Sequence, residues 1–335
     1  SSWYCGPFQG PSSYHRLCRW YMIGQRKISN AKTCAHRARA FEHKDSIPYP
    51  LTRLNYPVPE LPEVETMRRG ILAAQGCRIR DVQWLRCRAK PIAVHPSRSA
   101  FRRRVRGQPI ESIMRVGKRV VLVLENEDRI VVEPRMTGLL LVTDPPSPQH
   151  LRLGLELDDG PWDTIWYWDR RGLGHVRLYS ADEFAAALGP QAVGPDALTI
   201  DADQLRSRLR ASRREVKVAL LDQRAIAGIG NLYAAEILHQ AGVHPRARCH
   251  RLSVTQWNRI VDSITDVLQT AITYEGSTLS DGTYRNALNK SGGYQNEHRV
   301  YAREDQLCPT CRDDKIMRIV QSQRSTFFCP TCQSR

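Results

Sequence analysis

The run Pro59-Glu60-Leu61-Pro62-Glu63-Val64-Glu65-Thr66-Met67-Arg68-Arg69-Gly70 decides how this chain is read. Val64, Met67, Ile71 and Ala74 recur at helical spacing, Pro62 suits a first turn, and Gly76 offers a stop. The spacing predicts a buried helix over 62–74 with an acidic start. Pro59 precedes it. A proline nitrogen is a secondary amine, able to attack carbon, only at a chain's first position; inside a chain it is an amide.

Outward from this run the texture changes in both directions. Residues 1–58 carry nine Lys/Arg against two acids, Glu42 and Asp45, with no sustained periodicity. That composition predicts little stable structure: a transit-like leader, or upstream sequence translated in error. Val58 sits where a removable initiator would stand, since a valine codon read as a start gives methionine. Beyond residue 78, β-rich segments at Arg119 to Leu124, Ile130 to Val132, Leu139 to Val142 and Arg152 to Leu157 are separated by turns such as Asp158-Asp159-Gly160. They predict a β-sandwich or barrel-like domain. After Leu188-Gly189-Pro190, helices are expected over Asp201–Ala211, Glu215–Asp222, Leu232–Ala241 and Thr255–Tyr274.

Composition bounds the function. The 335 residues are 41% hydrophobic without an apolar run of bilayer-spanning length, so a soluble chain with material for two domains is expected. Fifty Lys+Arg against 34 Asp+Glu give a net +16, which favours an extended polyanion as partner. Four of the ten cysteines, Cys308, Cys311, Cys329 and Cys332, form C-x2-C-x17-C-x2-C; the other six are scattered. The spacing predicts one structural Zn²⁺ held by four thiolates in a hairpin too small for its own core. Within it, Arg324 falls near the turn, where a guanidinium can grip a phosphate; alone it would read as a solvated charge. Ala227-Gly228-Ile229-Gly230-Asn231 joins two helices, with Asn231 placed as an N-cap, and Lys217 lies before it. A Gly-x-Gly turn by itself is only a tight connection. Its weight comes from the basic residues around it.

From Pro59 onward the chain resembles the formamidopyrimidine-DNA glycosylases, of helix-two-turn-helix (H2TH) architecture. Four motifs carry the resemblance in order: the Pro59–Thr66 start, Arg115-Val116-Gly117-Lys118, the Gly228–Tyr233 turn with Glu236, and the cysteine hairpin with Gln323-Arg324. The resemblance implies an α+β fold: an N-terminal β-sandwich domain with a flanking helix over 59–188, a helical H2TH domain over 189–302, and a zinc-finger hairpin over 303–335. It implies Pro59 as nucleophile at C1′ of a damaged nucleotide, Glu60 as acid/base catalyst with Glu63 in support, and Lys118 and Arg324 as catalytic-site phosphate contacts. DNA contacts are implied at His150, Lys217 and Asn231, with Met136, Arg171 and Leu173 filling the gap left by an extruded base. Leu173 departs from the family's usual phenylalanine. Ser280 to Tyr294, polar and glycine-rich, is expected to be a mobile loop over that base. Without the family, Met136 reads as core, His150 as an ordinary surface residue, and Glu60 and Glu63 as helix-capping acids.

The implied activity is bifunctional: removal of oxidised purines from double-stranded DNA and cleavage at abasic sites by β,δ-elimination, by a monomer whose mature N-terminus is Pro59. A bacterial cytoplasm, near the nucleoid, is the expected location; a genuine leader would allow an organelle. Two other readings stand beside this one. A noncatalytic lesion-binding protein would keep residues 1–58 and block Pro59. A ribosomal RNA-binding protein would use the helix-turn element alone, but Glu60 and the cysteine hairpin argue against it.

Overall fold

The computed structural model describes residues 59–279 and 282–334. The expectations for residues 1–58, including Val58, and for Ser280 and Asp281 lie outside the described residues.

Helix α1 (Leu61–Gly70) begins with Glu60 N–H donating to Glu63 Oε2 at 2.9 Å. It ends sooner than the apolar spacing predicts, giving way to a 3₁₀ turn at Leu72–Ala74. Its apolar residues divide between two cores: Leu61 faces a helical cluster, while Val64, Met67 and Ile71 are fully buried in a β-rich one. Each such burial is worth roughly 1.5–3 kcal/mol. One short helix is thus a structural member of both halves.

The β-rich half contains β1 (Arg78–Trp84), β2 (Ala93–His95), α2 (Arg98–Val105), β3 (Ile110–Val116), β4 (Arg119–Leu124), β5 (Arg129–Glu133), β6 (Gly138–Leu141), β7 (Leu151–Asp158), β8 (Thr164–Asp169), β9 (His175–Tyr179) and α3 (Ala181–Leu188). Two sheets form, ordered β1-β7-β8-β6 and β2-β9-β5-β4-β3. All pairings are antiparallel except β2 with β9. Inward residues of both sheets make one shared core, among them Leu122, Ile130, Leu139, Tyr167 and Val176. This is the expected sandwich, with both sheets packed on α1.

The helical half contains α4 (Ala202–Leu209), α5 (Val216–Leu220), α6 (Asn231–Gln240) and α7 (Val254–Thr273). Ser253 caps α7 by accepting from Gln256 N–H, and the Gln256 side chain returns the bond to Ser253 N–H. Between α5 and α6, Gln223 staples the turn: its oxygen accepts from Gly228 N–H and its amide donates to Ile229 O, both at 2.9 Å. Strands β10 (Met317–Gln321) and β11 (Arg324–Phe328) form the terminal hairpin. Its two central residues, Ser322 and Gln323, both have positive φ, 45° and 62°, as a twisted two-residue hairpin turn requires. Phe327 and Cys329 pack into the helical core, so the hairpin borrows a core it cannot build. The α+β class expected from the sequence is the one observed.

A buried ion-pair network fastens the halves. Arg115 places Nη1 and Nη2 on the Asp196 carboxylate at 2.6 and 2.9 Å and Nε 3.2 Å from Glu65. Glu65 also receives Arg68 and Arg69. Burial alone would raise its carboxyl, but the surrounding guanidiniums outweigh that and hold it at about 2. Among the described residues, no helix is long and apolar enough to cross a membrane.

Candidate active site and nucleic-acid interface

A cleft of about 470 Å³ opens where α1, the β4 start, the α5–α6 turn and the hairpin tip meet. Pro59, Glu60, Lys118, Met136, Asn231 and Arg324, brought from separated stretches of sequence, all line it. Pro59 and Glu60 are buried at its floor.

Glu60 is held by the helix opposite. Its oxygens accept from Leu232 N–H at 3.0 Å and Tyr233 N–H at 3.4 Å, the free amides that open α6. Gly230 makes this approach possible: a Cβ there would lie 2.2 Å from the Glu60 carboxyl carbon. Two residues earlier, Gly228 has φ +109 and its carbonyl accepts from Leu61 N–H at 3.1 Å, tying the turn to α1. Burial raises the Glu60 carboxyl above its ordinary range, while Lys118 and the α6 amides pull it back. The same burial lowers the Lys118 ammonium, with Glu60 opposing and Arg324 adding to the drop.

Glu63 lies behind Glu60. It accepts from Tyr233 Oη at 2.6 Å and Ser277 N–H at 2.9 Å. Burial outweighs these bonds and, helped by the nearby Glu60, lifts its carboxyl to about 7. The two acids therefore share one enclosed environment, and a proton resides on one of them more readily than in water.

Two expectations are corrected here. Lys217 does not face nucleic acid: it is 1% exposed and its ammonium donates to Asn231 Oδ1 at 2.7 Å, Thr326 Oγ1 at 2.8 Å and Ser325 O at 3.3 Å. An ammonium has three donors, and all three are spent. Packing of α5 against β11 encloses it and lowers it to about 7. Asn231, in turn, is the first helical residue and not the N-cap, which is Gly230. Its amide donates to Ser325 O at 3.0 Å, so Lys217 and β11 together fix Asn231 at the cleft wall.

Several site residues escaped the sequence reading. Tyr301 lines the cleft. Its backbone is set by Glu236, whose buried carboxylate accepts from the amides of Arg299, Val300 and Tyr301 at 2.9, 3.1 and 2.7 Å. Asp169, 0% exposed, organises the Arg170–Gly174 loop by accepting from Arg171 N–H at 3.1 Å and Gly174 N–H at 2.8 Å. Arg152 braces the same turn through the Asp169 carbonyl. That loop brings Arg171 Nη1 to 3.3 Å from Met136 Sδ, so two of the three expected gap-fillers are neighbours, and the third, Leu173, is half-buried on the same loop. An acid at the end of β8 before Arg-Arg-Gly was the available signal for Asp169. His150 lies in a 3₁₀ turn with its ring edge-on to Trp168 at 5.5 Å, and burial lowers its imidazole.

The segment expected to be mobile is well anchored over its described part. Tyr284 is buried, its hydroxyl donating to Glu275 O at 3.0 Å, and Ala287 O accepts from Val142 N–H at 3.0 Å. Polar, glycine-rich composition signalled a loop, but the loop's aromatic and amide residues fill the seam between α7 and the sandwich.

The four hairpin cysteines gather their sulfurs within 4.8 Å of one another, with Cys308 to Cys332 at 3.8 Å and Cys311 to Cys329 at 3.6 Å. A tetrahedral Zn²⁺ with ordinary thiolate bonds needs sulfur separations of about 3.8 Å, so the four residues fit that ion. They leave no open coordination position, and such an ion would be structural.

Comparison with known proteins agrees with this geometry. Family models match for the formamidopyrimidine-DNA glycosylase N-terminal domain over residues 58–176, its H2TH domain over 188–283, and the zinc finger found in FPG and IleRS over 314–335. The chain is similar to the formamidopyrimidine-DNA glycosylase of Chloroflexus aurantiacus, 38% identical over 82% of this chain and 98% of the relative. The enzyme of that name from Solibacter usitatus is 36% identical, over 83% and 100%. Among solved structures, MutM (Fpg) from Thermus thermophilus is similar with a TM-score of 0.71 and 33% identity, over 83% of this chain and 99% of that one. Lactococcus lactis Fpg bound to abasic-site DNA gives 0.72 and 30%, over 82% and 100%. Fold and site thus define a DNA glycosylase of H2TH architecture. The chain belongs to the formamidopyrimidine-DNA glycosylase family.

Proposed function

We propose that this protein excises oxidised purines, 8-oxoguanine and formamidopyrimidines, from double-stranded DNA and then cleaves the abasic strand. The observation that carries the proposal is the seating of Pro59 beside Glu60, a carboxyl locked on the α6 amides, in a cleft also lined by Asn231, Tyr301 and Arg324. The activity is base excision repair at DNA, in the bacterial cytoplasm. The domain division is 59–188, 189–302 and 303–335.

The chemistry follows from the residues. As a free secondary amine, Pro59 attacks C1′; the C1′–N bond to the damaged base breaks, and the departing base anion takes up the proton that the Pro59 nitrogen sheds. Glu60, whose hold on a proton burial strengthens, gives one to the sugar ring oxygen, the C1′–ring-oxygen bond breaks, and an iminium joins Pro59 to C1′. The Glu60 carboxylate so formed takes the C2′ proton as the C3′–O bond to the 3′ phosphate breaks, and loss of the C4′ proton to a base or water then breaks the C5′–O bond to the 5′ phosphate. Lys118, Asn231 and Arg324 grip phosphates around the kink, while Met136, Arg171 and Leu173 fill the vacated stack, offsetting an extrusion cost of a few kcal/mol. His150 touches the backbone nearby. Lys217 acts through Asn231.

An amide nitrogen has no free lone pair, so the proposal requires Pro59 at the head of the working chain. The family match beginning at residue 58 supports that requirement and weighs against the noncatalytic binder. Borohydride should trap a covalent complex with lesion DNA for a chain starting at Pro59, and Pro59→Gly should reduce trapping severely. Undiminished trapping by the variant would remove Pro59 as nucleophile.

A further inference from the structure

The cleft contains a carboxylate whose presence the chemistry above does not explain. Glu133, at the end of β5, lines it together with Arg119 and Arg135, beside Met136. One Glu133 oxygen accepts from Arg119 Nε at 3.2 Å and the other from Arg135 Nη1 at 3.1 Å. His175 Nδ1 lies 3.8 Å away, but burial lowers its imidazole, and the two arginines are the permanently charged partners. The Glu133 side chain is 14% exposed, Arg119 24% and Arg135 52%, so Arg135 has most room to swing out.

Arg135 also has φ +56, a conformation L side chains rarely adopt, in the turn closed by Gly138 N–H on Pro134 O. The turn thereby holds a guanidinium next to the residue expected to enter the base stack. A negative charge in the wall of a polyanion cleft weakens binding to any phosphate backbone. Its use must lie in what it restrains.

We propose that Glu133 is a specificity-determining clamp that withholds Arg135, and in part Arg119, from DNA phosphates. A straight, undamaged backbone does not come close enough to displace the carboxylate. A backbone kinked around Met136 brings a phosphate within reach of Arg135, which leaves Glu133 for it. The clamp rests on the DNA glycosylase reading, because it needs DNA in this cleft, and adds a restraint that favours the bent, lesion-bearing duplex over the straight one.

The test measures equilibrium affinity by fluorescence anisotropy over a range of salt. It compares an undamaged duplex with one carrying a stable abasic analogue, for wild type, Glu133→Gln, Arg135→Ala and the double variant. Glu133→Gln should tighten the undamaged duplex about two- to fivefold, the upper part of the range a partly exposed ion pair covers, and tighten the abasic duplex by much less. Its salt dependence on undamaged DNA should steepen by up to one phosphate contact. In the Arg135→Ala background the gain should shrink by at least half. Equal tightening of both duplexes would show a general charge effect and overturn the clamp, as would a gain undiminished without Arg135. If Glu133→Gln does not fold, Glu133→Asp, too short to reach both arginines, should shift the ratio of affinities in the same direction; an unchanged ratio refutes the idea. A wild type that binds neither duplex would instead sink the glycosylase reading itself.

Discussion

Replacing Gly230 with alanine isolates the contact on which the proposed chemistry depends. Gly230 has φ −127 and ψ −162, an extended conformation open to any residue, so backbone freedom does not explain a glycine there. Space does. An added Cβ would lie 2.2 Å from the Glu60 carboxyl carbon and 2.4 and 2.6 Å from its oxygens. Carbon contacts settle near about 3.5–4.0 Å, so the carboxyl must retreat by roughly 1 Å or more. The bonds from Leu232 and Tyr233, at 3.0 and 3.4 Å, then break. Hydrogen bonds to a charged group are worth about 1.5–3 kcal/mol, and a 1 Å misplacement near the reacting atoms costs on the order of a hundredfold in rate. Gly230→Ala should therefore lower single-turnover excision of an oxidised purine by about tenfold to a hundredfold. Affinity for an uncleavable abasic-analogue duplex should stay within about threefold, since Asn231 and Arg324 are held by β11 and not by Glu60. A variant that folds, holds its zinc and excises within threefold of wild type would refute the idea that Glu60 works from the α6 amides.

Other consequences are open to measurement. Glu63 is lifted to about 7, above its ordinary 4.5, so the folded state holds a proton that the unfolded state has lost between those values. Stability should be greatest below the lower value and fall as pH rises through about 7, by at most about 3 kcal/mol, a slope Glu63→Gln should flatten in urea melts from pH 5 to 8. Cys308→Ser should release zinc, seen by metal analysis, and weaken DNA binding because Lys217 and Asn231 lean on β11; unchanged affinity would contradict that support. Arg324→Ala should weaken binding across all sequences and reduce the salt slope by about one, whereas a loss confined to one base context would exclude a phosphate contact. Asp169→Asn should slow excision by about tenfold while sparing abasic-site cleavage, because only extrusion needs the Arg171 loop in place; equal losses in both would point to general unfolding.

The elements legible in the sequence were those whose signal is local. Helical spacing marked α1, β-rich runs bounded by turn signals marked β4 and β5, and cysteine spacing alone marked the hairpin. Contacts made across the fold left no such mark. Nothing near Lys217 in sequence says that Ser325 and Thr326 will consume its ammonium, so a lysine beside a glycine turn read as a phosphate ligand. Nothing near Asn231 says that a carboxylate more than a hundred residues away will cap its helix, so a side chain suited to capping was given that task.

The same reasoning explains why the first residues of the motif carry so much. Leu61 belongs to the helical core and Val64 to the sandwich core, so α1 is fixed in two bodies at once. Glu60, one residue before it, is bound by the amides of α6, and Glu63 by Tyr233 of that helix and Ser277 beyond α7. A nucleophile at Pro59 would inherit that rigidity. Its neighbours hold the carboxyl groups in an enclosed, proton-retaining site, and the arginines that would draw in DNA line the same cleft. An attacking amine at Pro59 would then be positioned by its neighbours on a doubly anchored helix.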